Sequence, residues 1–299
     1  MKKKFVESVM VSMLIGAVIT GCGKQVETTE TVYFSTEPSS ESDAEITTEA
    51  MESEVQTESM SEEPTYYHIE NPGWDYYQED KSAVAGEQTL HLEKIQETPN
   101  GISSLEQWLT TNNLDFQEMP YSDEKYTYSA YGNNGFDTYE LQLQELTGEE
   151  RTITLDFSDY IYANDFEESE RDFVFQRIIW AKAEEDILYV ATGHYTYAAS
   201  SPHNAYITAI DLNDFHVIWK TSPLVCNSLS FEVIGDSIVC GYGFTDEDDY
   251  LYILDKKTGI VQETIPLKKA PEYIYRKDDT LYVKTYDADL TFKIIEEVK

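Results

Sequence analysis

One stretch, Tyr250 to Thr264 (YLYILDKKTGIVQET), recurs along the chain and limits what the chain can become. It combines an apolar strand, a tight Lys-Thr-Gly turn and a second strand. Shifted back by 44 residues, it lies on Tyr206 to Lys220 (YITAIDLNDFHVIWK), with Tyr on Tyr and Asp211 under Asp255. Shifted back by 111, it lies on Tyr139 to Thr154 (YELQLQELTGEERTIT), with Thr147-Gly148 under Thr258-Gly259. A unit of a few strands repeating every ~40 to 45 residues predicts the blades of a β-propeller.

Used as a ruler, the repeat places four strands in each blade. Blade one takes Leu114 to Met119, Tyr126 to Tyr131, Thr138 to Glu145 and Arg151 to Phe157. Blade two takes Val174 to Ala181, Ile187 to Tyr195, Ala205 to Leu212 and His216 to Thr221. Blade three takes Leu229 to Ile234, Ser237 to Phe244, Tyr250 to Asp255 and Ile260 to Pro266. The last has Glu272 to Arg276, Thr280 to Tyr286 and Leu290 to Ile295, and lacks an outer strand. Thr89 to Ile95 alternates as a strand but belongs to no blade. Pairing it with the last blade would remove both exposed edges. The expected fold is therefore all-β, a small propeller of four four-stranded blades over residues 66–299, with a degenerate fifth blade at 66–100 as the alternative. Ser104 to Gln107 carries a capping box that opens a short helix with Leu105, Trp108 and Leu109 on one face, ended by Asn112-Asn113.

The segment Ala209-Ile210-Asp211 through Trp219-Lys220 resembles the repeat of the pyrroloquinoline-quinone-like propellers. In that family an Ala-Leu-Asp strand, a Thr-Gly turn and a Trp-bearing strand recur in each blade. The copy ending at Thr258-Gly259 matches the turn but has Glu263 where Trp would fall, and the copy at Tyr139 has Gln144 for the Asp. The resemblance covers about half of the globular part and implies the fold class alone. Its members include quinone-dependent dehydrogenases and cofactor-free scaffold lipoproteins, and fold does not choose between them.

Residues 1–21 combine a basic start with a short apolar run from Val9 to Ile19, which predicts a secretory signal. The run ends in Ile19-Thr20-Gly21-Cys22, which resembles a bacterial lipobox and implies cleavage before Cys22 and lipidation of its thiol. Between Gly23 and Thr65 stand twelve Asp and Glu against one Lys, among many Ser and Thr. Such a composition predicts a tether, residues 22–65, too polar to bury a core. The net charge of −36 repels phosphate backbones and excludes nucleic acid as a partner.

Beyond Cys22 the cysteines are Cys226 and Cys240. If Gly235-Asp236 turns between two straight strands, Cys240 faces Phe231. The two thiols then stand roughly 16 Å apart at ~3.3 Å per residue, too far to bridge, and are expected free and partly buried. No phosphate-cradling loop, nucleophile elbow or His-Glu-x-x-His motif occurs. The five histidines show no ligand spacing, although His194 and His203 could approach across one loop. Asp246-Glu247-Asp248-Asp249 suits a solvated turn better than a cation loop, and Trp219 suits blade packing. No catalytic constellation, metal or cofactor is expected.

Strands that alternate in direction put the A-to-B and C-to-D turns on one face and the other connections on the opposite face. The first group is short; the second, including Ser158 to Phe173, Thr196 to Asn204 and Thr245 to Asp249, is long. Added length on one face predicts function there, and loop tyrosines suit binding. The expected binding face comprises Tyr160, Tyr162, Tyr195, Tyr197, His203, Asp246, Glu247, Asp248 and Asp249. The expected role is a cell-surface binding or scaffolding module, anchored to the membrane at Cys22, with a protein or glycan partner in the envelope. The alternatives are a quinone-dependent oxidoreductase and an accessory subunit of an envelope complex.

Overall fold

A computed structural model describes residues 64–101, 103–132, 137–148 and 151–296. The signal, Cys22 and the acidic tether lie outside the described residues. The strands, in chain order, are β1 (Thr65–His68), β2 (Tyr77–Gln78) and β3 (Leu90–Pro99), followed after helix α1 (Leu105–Asn112) by β4 (Tyr121–Ser122), β5 (Tyr126–Gly132), β6 (Thr138–Glu145) and β7 (Thr152–Asp156). Then come β8 (Arg177–Glu184), β9 (Ile187–Gly193), β10 (Tyr206–Asp211) and β11 (Val217–Lys220). They are followed by β12 (Glu232–Ile234), β13 (Ser237–Tyr242), β14 (Asp249–Asp255), β15 (Val261–Leu267), β16 (Pro271–Lys277), β17 (Thr280–Thr285) and β18 (Ala288–Glu296).

These form four discrete sheets in a propeller-like arrangement. In order across each, sheet one is β1-β7-β6-β5-β4, sheet two β2-β11-β10-β9-β8, sheet three β12-β13-β14-β15 and sheet four β16-β17-β18-β3. Apolar alternation on both faces of each meander lets neighbouring sheets stack. Tyr128, Leu143 and Leu155 of sheet one pack with Leu188, Val190 and Ile210 of sheet two. Ile207, Ala209 and Trp219 pack with Val233, Ile238 and Leu254 of sheet three. Val239 and Ile253 pack with Ile274, Val283 and Phe292 of sheet four.

The sequence repeat corresponds to a repeated hairpin. In both β10–β11 and β14–β15 the register slips at the same place, between Ala209 and Ile210 and between Ile253 and Leu254. The Asp that follows organises the turn. Asp211 Oδ1 accepts from the Asn213 amide at 2.7 Å, and Asp255 Oδ1 accepts from the Thr258 amide and hydroxyl at 2.8 Å each. The turn closes on a left-handed residue, Gly148, Phe215 or Gly259, at φ 87°, 64° and 71°. At Gly259 a side chain has no room either, because a Cβ would stand 2.4 Å from the Trp219 ring. Trp219 is buried there and donates its Nε1–H to Lys256 O at 3.2 Å, so it packs one blade onto the next as its position implies.

The N-terminal residues show what the repeat could not. Residues 65–99 form a strap that visits the outer strand of every sheet in turn. β1 lies parallel to β7, and β2 is antiparallel to β11. Along sheet three, the Gly86 amide donates to Asp255 Oδ2 at 2.9 Å, and Gln262 donates to Gly86 O at 2.7 Å. β3 then pairs with β18 from Leu90–Glu296 to Pro99–Ala288. The expected pairing of Thr89 to Ile95 with the last blade is thus observed, and no fifth sheet forms from residues 66–100 among the described residues. Phe215, at the left-handed position that glycine holds elsewhere, stacks its ring on Tyr67 of the strap at 3.9 Å.

Two expectations are corrected. Leu114 to Met119 is not a strand; the inner strand of sheet one is only Tyr121–Ser122. Phe116 turns inward against Trp180 and Tyr273, while Asp115 and Glu118 accept the hydroxyls of Tyr275 and Tyr273 at 2.6 Å, so side chains rather than a ladder fix this segment. Cys226 and Cys240 are free and fully buried, but they are neighbours, not distant. β12 begins only at Glu232, as long as its register needs. Before it the chain folds back along β13, with the amides of Asn227 and Ser228 both donating to Gly241 O. Helix α1 matches its sequence: Ser104 and Gln107 form both bonds of the capping box, Asn113 closes the helix in the left-handed region, and Trp108 is buried.

Candidate functional site

The long connections converge beside sheets two and three. Residues 157–176 lead into β8, 194–205 join β9 to β10, 221–231 lead into β12, and 243–248 join β13 to β14. On the opposite face the turns are tight, such as Gly235-Asp236 between β12 and β13. The corresponding connection of sheet four, Tyr286-Asp287, is also short, so the added length belongs to sheets one to three.

Contacts tie these loops together. Tyr197 meets Phe244 edge-on at 5.0 Å, and the Ala198 amide donates to Glu247 Oε1 at 2.7 Å. Glu247 also accepts the Tyr242 hydroxyl at 2.5 Å. His203 joins three segments: its Nδ1 bonds Asp165 Oδ2 at 2.8 Å, its Nε2 lies 4.0 Å from Asp75 of the strap, and its carbonyl accepts from Gln176 Nε2 at 2.9 Å. Tyr195 and Tyr197 are about two-fifths exposed. The hydroxyl of Tyr195 is nevertheless enclosed, which pushes its pKa up. Tyr162 stacks on Phe166 under the guanidinium of Arg171, which stands 4.6 Å from the ring. Asp248 accepts the Tyr250 hydroxyl, Asp246 turns the loop at φ 63°, and burial raises the Asp249 carboxyl. Tyr160 is placed differently. A single 3-10 turn, Ser158–Tyr160, drives its ring into the layer between sheets one and two, where it is 2% exposed.

Beneath the exposed rings lies a group that sequence reasoning missed. Among the described residues, Gln176 Oε1, Arg177 Nε and Thr192 Oγ1 are buried without a hydrogen-bond partner, and the buried ring of His194 has no hydrogen-bonding neighbour beyond the backbone of Ser201. They sit at one end of sheet two, where Arg177 pairs with Gly193 and Ile178 with Thr192. Burial holds His194 down to about 4, with the Arg177 charge adding to the effect. Its imidazole is therefore neutral near pH 7, offering one donor and one acceptor. Each buried polar atom left unpaired costs about 1–3 kcal/mol, and such groups call for a bound molecule or ordered water. Arg177 makes no ion pair among the described residues, although the chain carries 57 acids, and its guanidinium stands 5.8 Å from the Tyr195 ring.

Two further clusters satisfy themselves. Asp211, Asp214 and His216 bring three metal-capable atoms within 4.8 Å of one another on the short-turn face, a proximity the histidine spacing did not disclose. His216 bonds Asp214 at 2.5 Å and Glu79 at 2.8 Å, and Asp214 first, then Glu79, raises its pKa. His68 stands likewise between Asp156 and Asp159, at 3.1 Å from each.

No family model matches the chain, and no curated protein matches it in sequence. Among solved structures, BamB from Moraxella catarrhalis is similar at 12% identity and a TM-score of 0.33, over 58% of this chain and 57% of that one. TolB from Acinetobacter baumannii is similar at 12% identity and a TM-score of 0.29, over 58% and 42%. A europium-containing methanol dehydrogenase is similar at 14% identity and a TM-score of 0.30, over 49% and 23%. The chain thus spans little more than half the length of the first of these and less of the others. Likeness of this degree assigns no ligand.

Proposed function

We propose that residues 66–299 form a closed four-bladed propeller, held at the outer face of a cell membrane by a lipid on Cys22, that binds a protein or glycan partner through the loops of sheets one to three. The observation that carries the binding role is the buried polar group at the end of sheet two, the unpaired Gln176 Oε1 and Thr192 Oγ1 with the uncompensated Arg177, beside the exposed Tyr195. A surface with no partner gains nothing from such unpaired groups, whereas a partner's hydroxyls or carboxylates would satisfy them. Tyr195, Tyr197 and Arg177 are of the residue types that dominate binding energetics. The strand β3 supports the ring, because it brings the N-terminal part of the chain into sheet four as its outer strand, joining the two ends of the fold in one sheet.

The test uses the full chain against envelope extract and a glycan panel. Alanine at Tyr195, Tyr197 and His203 together is expected to weaken binding at least about tenfold, the effect of ~1.4 kcal/mol, with little change in melting temperature. Three alanines on the short-turn face, at Asp236, Lys257 and Asp278, should leave binding intact. The reverse result would overturn the assignment of faces.

The anchor is tested separately. Growth with a clickable fatty-acid analogue is expected to label the chain, and Cys22→Ala to abolish the label. Labelling that survives the substitution would rule out the anchor.

A further inference from the structure

Segment 223–231 carries the chain from sheet two to sheet three, and its path brings two thiols together. The amides of Asn227 and Ser228 donate to Gly241 O at 2.9 and 3.1 Å, so this segment runs directly alongside β13. Ser228 Oγ also accepts from the Gly241 amide at 3.2 Å, and Asn227 brackets Gly243 through both ends of its side chain, at 2.8 and 3.2 Å. Cys226 and Cys240 are the residues just before this clamp on each strand. Their thiols interact with one another, and neither has any surface exposed. Around them, Cys226 Sγ lies 3.7 Å from Ser228 Oγ and Cys240 Sγ 3.6 Å from Val225 O.

We propose that Cys226 and Cys240 are a dithiol site that closes to an intramolecular disulfide, locking segment 223–231 onto β13. The Cys240 thiol reaches the carbonyl of Val225, the residue before Cys226, at 3.6 Å, so the two side chains occupy one buried site of the size a disulfide bridges. The two thiols are not equivalent. Burial works against ionising either one, but bonds from Cys240, Ser228 and the Gly241 backbone favour the Cys226 thiolate and hold its pKa below the ordinary thiol range. Burial and the neighbouring Cys226 push Cys240 well above it. Cys226, whose sulfur has the Ser228 hydroxyl 3.7 Å away, is assigned as the attacking sulfur. With oxidised glutathione as oxidant, the Cys226 thiolate displaces one glutathione thiolate and forms a mixed disulfide. Cys240 then gives up its proton and attacks Cys226, expelling the second glutathione. One S–S bond breaks in the oxidant and one forms in the protein; two thiol protons and two electrons pass to the two glutathiones. Because both sulfurs are enclosed, exchange has to follow local opening of 223–231, so it is slow and the product, once closed, is shielded from reductant.

The test uses the full chain carrying Cys22→Ser in detergent, which leaves two thiols. After incubation with oxidised glutathione at a temperature a few degrees below melting, the chain is denatured, alkylated and weighed. Both cysteines fall in one tryptic peptide, 221–256. The expected peptide is about 2 Da lighter than the reduced form, carries no alkyl group, and regains two after dithiothreitol. Closing a loop of ~15 residues should raise the melting temperature by roughly 6–12 °C, reversibly. Two alkylated cysteines after oxidation, or glutathione retained on either one, would overturn the proposal. Cys240→Ser resolves the order of attack: it is expected to trap glutathione on Cys226, and an unmodified Cys226 in a variant whose melting curve shows it folded would reverse the roles.

Discussion

A chain lacking residues 64–100 is expected to lose cooperative melting and to aggregate. The strap is thirty-odd residues with little core of its own, yet its removal acts on all four sheets. Sheet four suffers most: β18 pairs with β3 along its whole length, and without it a nine-residue strand presents unpaired amides and carbonyls. Exposed edges of that length are templates for pairing with other chains. Sheets one and two would lose β1 and β2, Asp255 would lose the Gly86 amide, and the buried Ile69 and Leu90 would vanish from the layers they fill. Two fully buried aliphatic side chains alone contribute about 3–6 kcal/mol, and a domain of this kind is stable by ~5–15 kcal/mol in all. Removing residues 23–60 should by contrast leave the melting temperature unchanged, since that composition holds no core. Calorimetry and light scattering of the two deletions decide the matter. A monomeric chain without the strap that melts at the parent temperature would show that sheet four closes by another route.

How much of this was legible in the sequence follows the physics of each element. Most of the strands from β5 to β18 announce themselves because they are long enough to carry a pattern, and the short β11 and β12 because the repeat places them, its Asp and Gly being fixed by backbone needs that those residues meet easily. The strap strands β1 and β2 carry no such signal. They are four and two residues long, mostly polar or aromatic, and exist only because an outer strand offers them partners. Phe215 hides a left-handed turn behind an aromatic residue, which its stacking on Tyr67 accounts for. The cysteine separation failed because a straight strand was extrapolated from Phe231 back to Cys226, where the chain forms no strand and the amides of Asn227 and Ser228 bond Gly241 O instead. Tyr160 was read as loop surface because burial by a single 3-10 turn leaves no periodicity to detect. At the candidate site, the tyrosines and His203 were visible as loop residues, while Gln176 and Thr192 gain meaning only from lacking partners, which no sequence displays.

Stability should rise with pH above neutrality, and Lys220 should be the reason. Its side chain is fully buried at the end of β11. The ammonium donates to Gly73 O at 2.6 Å and to Asn71 Oδ1 at 3.2 Å, both on the strap. Ring faces enclose it, with centroids at 3.9 Å for Tyr206, 4.5 Å for Trp74 and 5.4 Å for Tyr160. Burial pushes its pKa from 10.5 down to about 7, against the pull of Asp75. Between those values the unfolded chain holds the proton and the folded chain does not. Unfolding then takes up a proton, so stability climbs as pH rises through this window and is flat, for this group, below 7. At 1.36 kcal/mol per unit, the gain between pH 7 and 9 is on the order of 2–3 kcal/mol. The buried tyrosines, whose pKa values burial raises, act in the opposite sense only above about pH 10, where unfolded tyrosine ionises. Lys220→Met isolates the effect, since methionine fills a similar volume without a proton to lose. At pH 9 the variant should be less stable than the parent by ~1–3 kcal/mol, because Gly73 O and Asn71 lose their donor. Towards pH 6 the gap should narrow or reverse, as the parent then buries a charge. Denaturant melts of both chains from pH 6 to 9.5 give the difference directly. A difference that stays constant over that range would mean that the three rings and two oxygens hold the proton in the fold, and the strap would then be fastened by a permanent ammonium rather than a neutral amine.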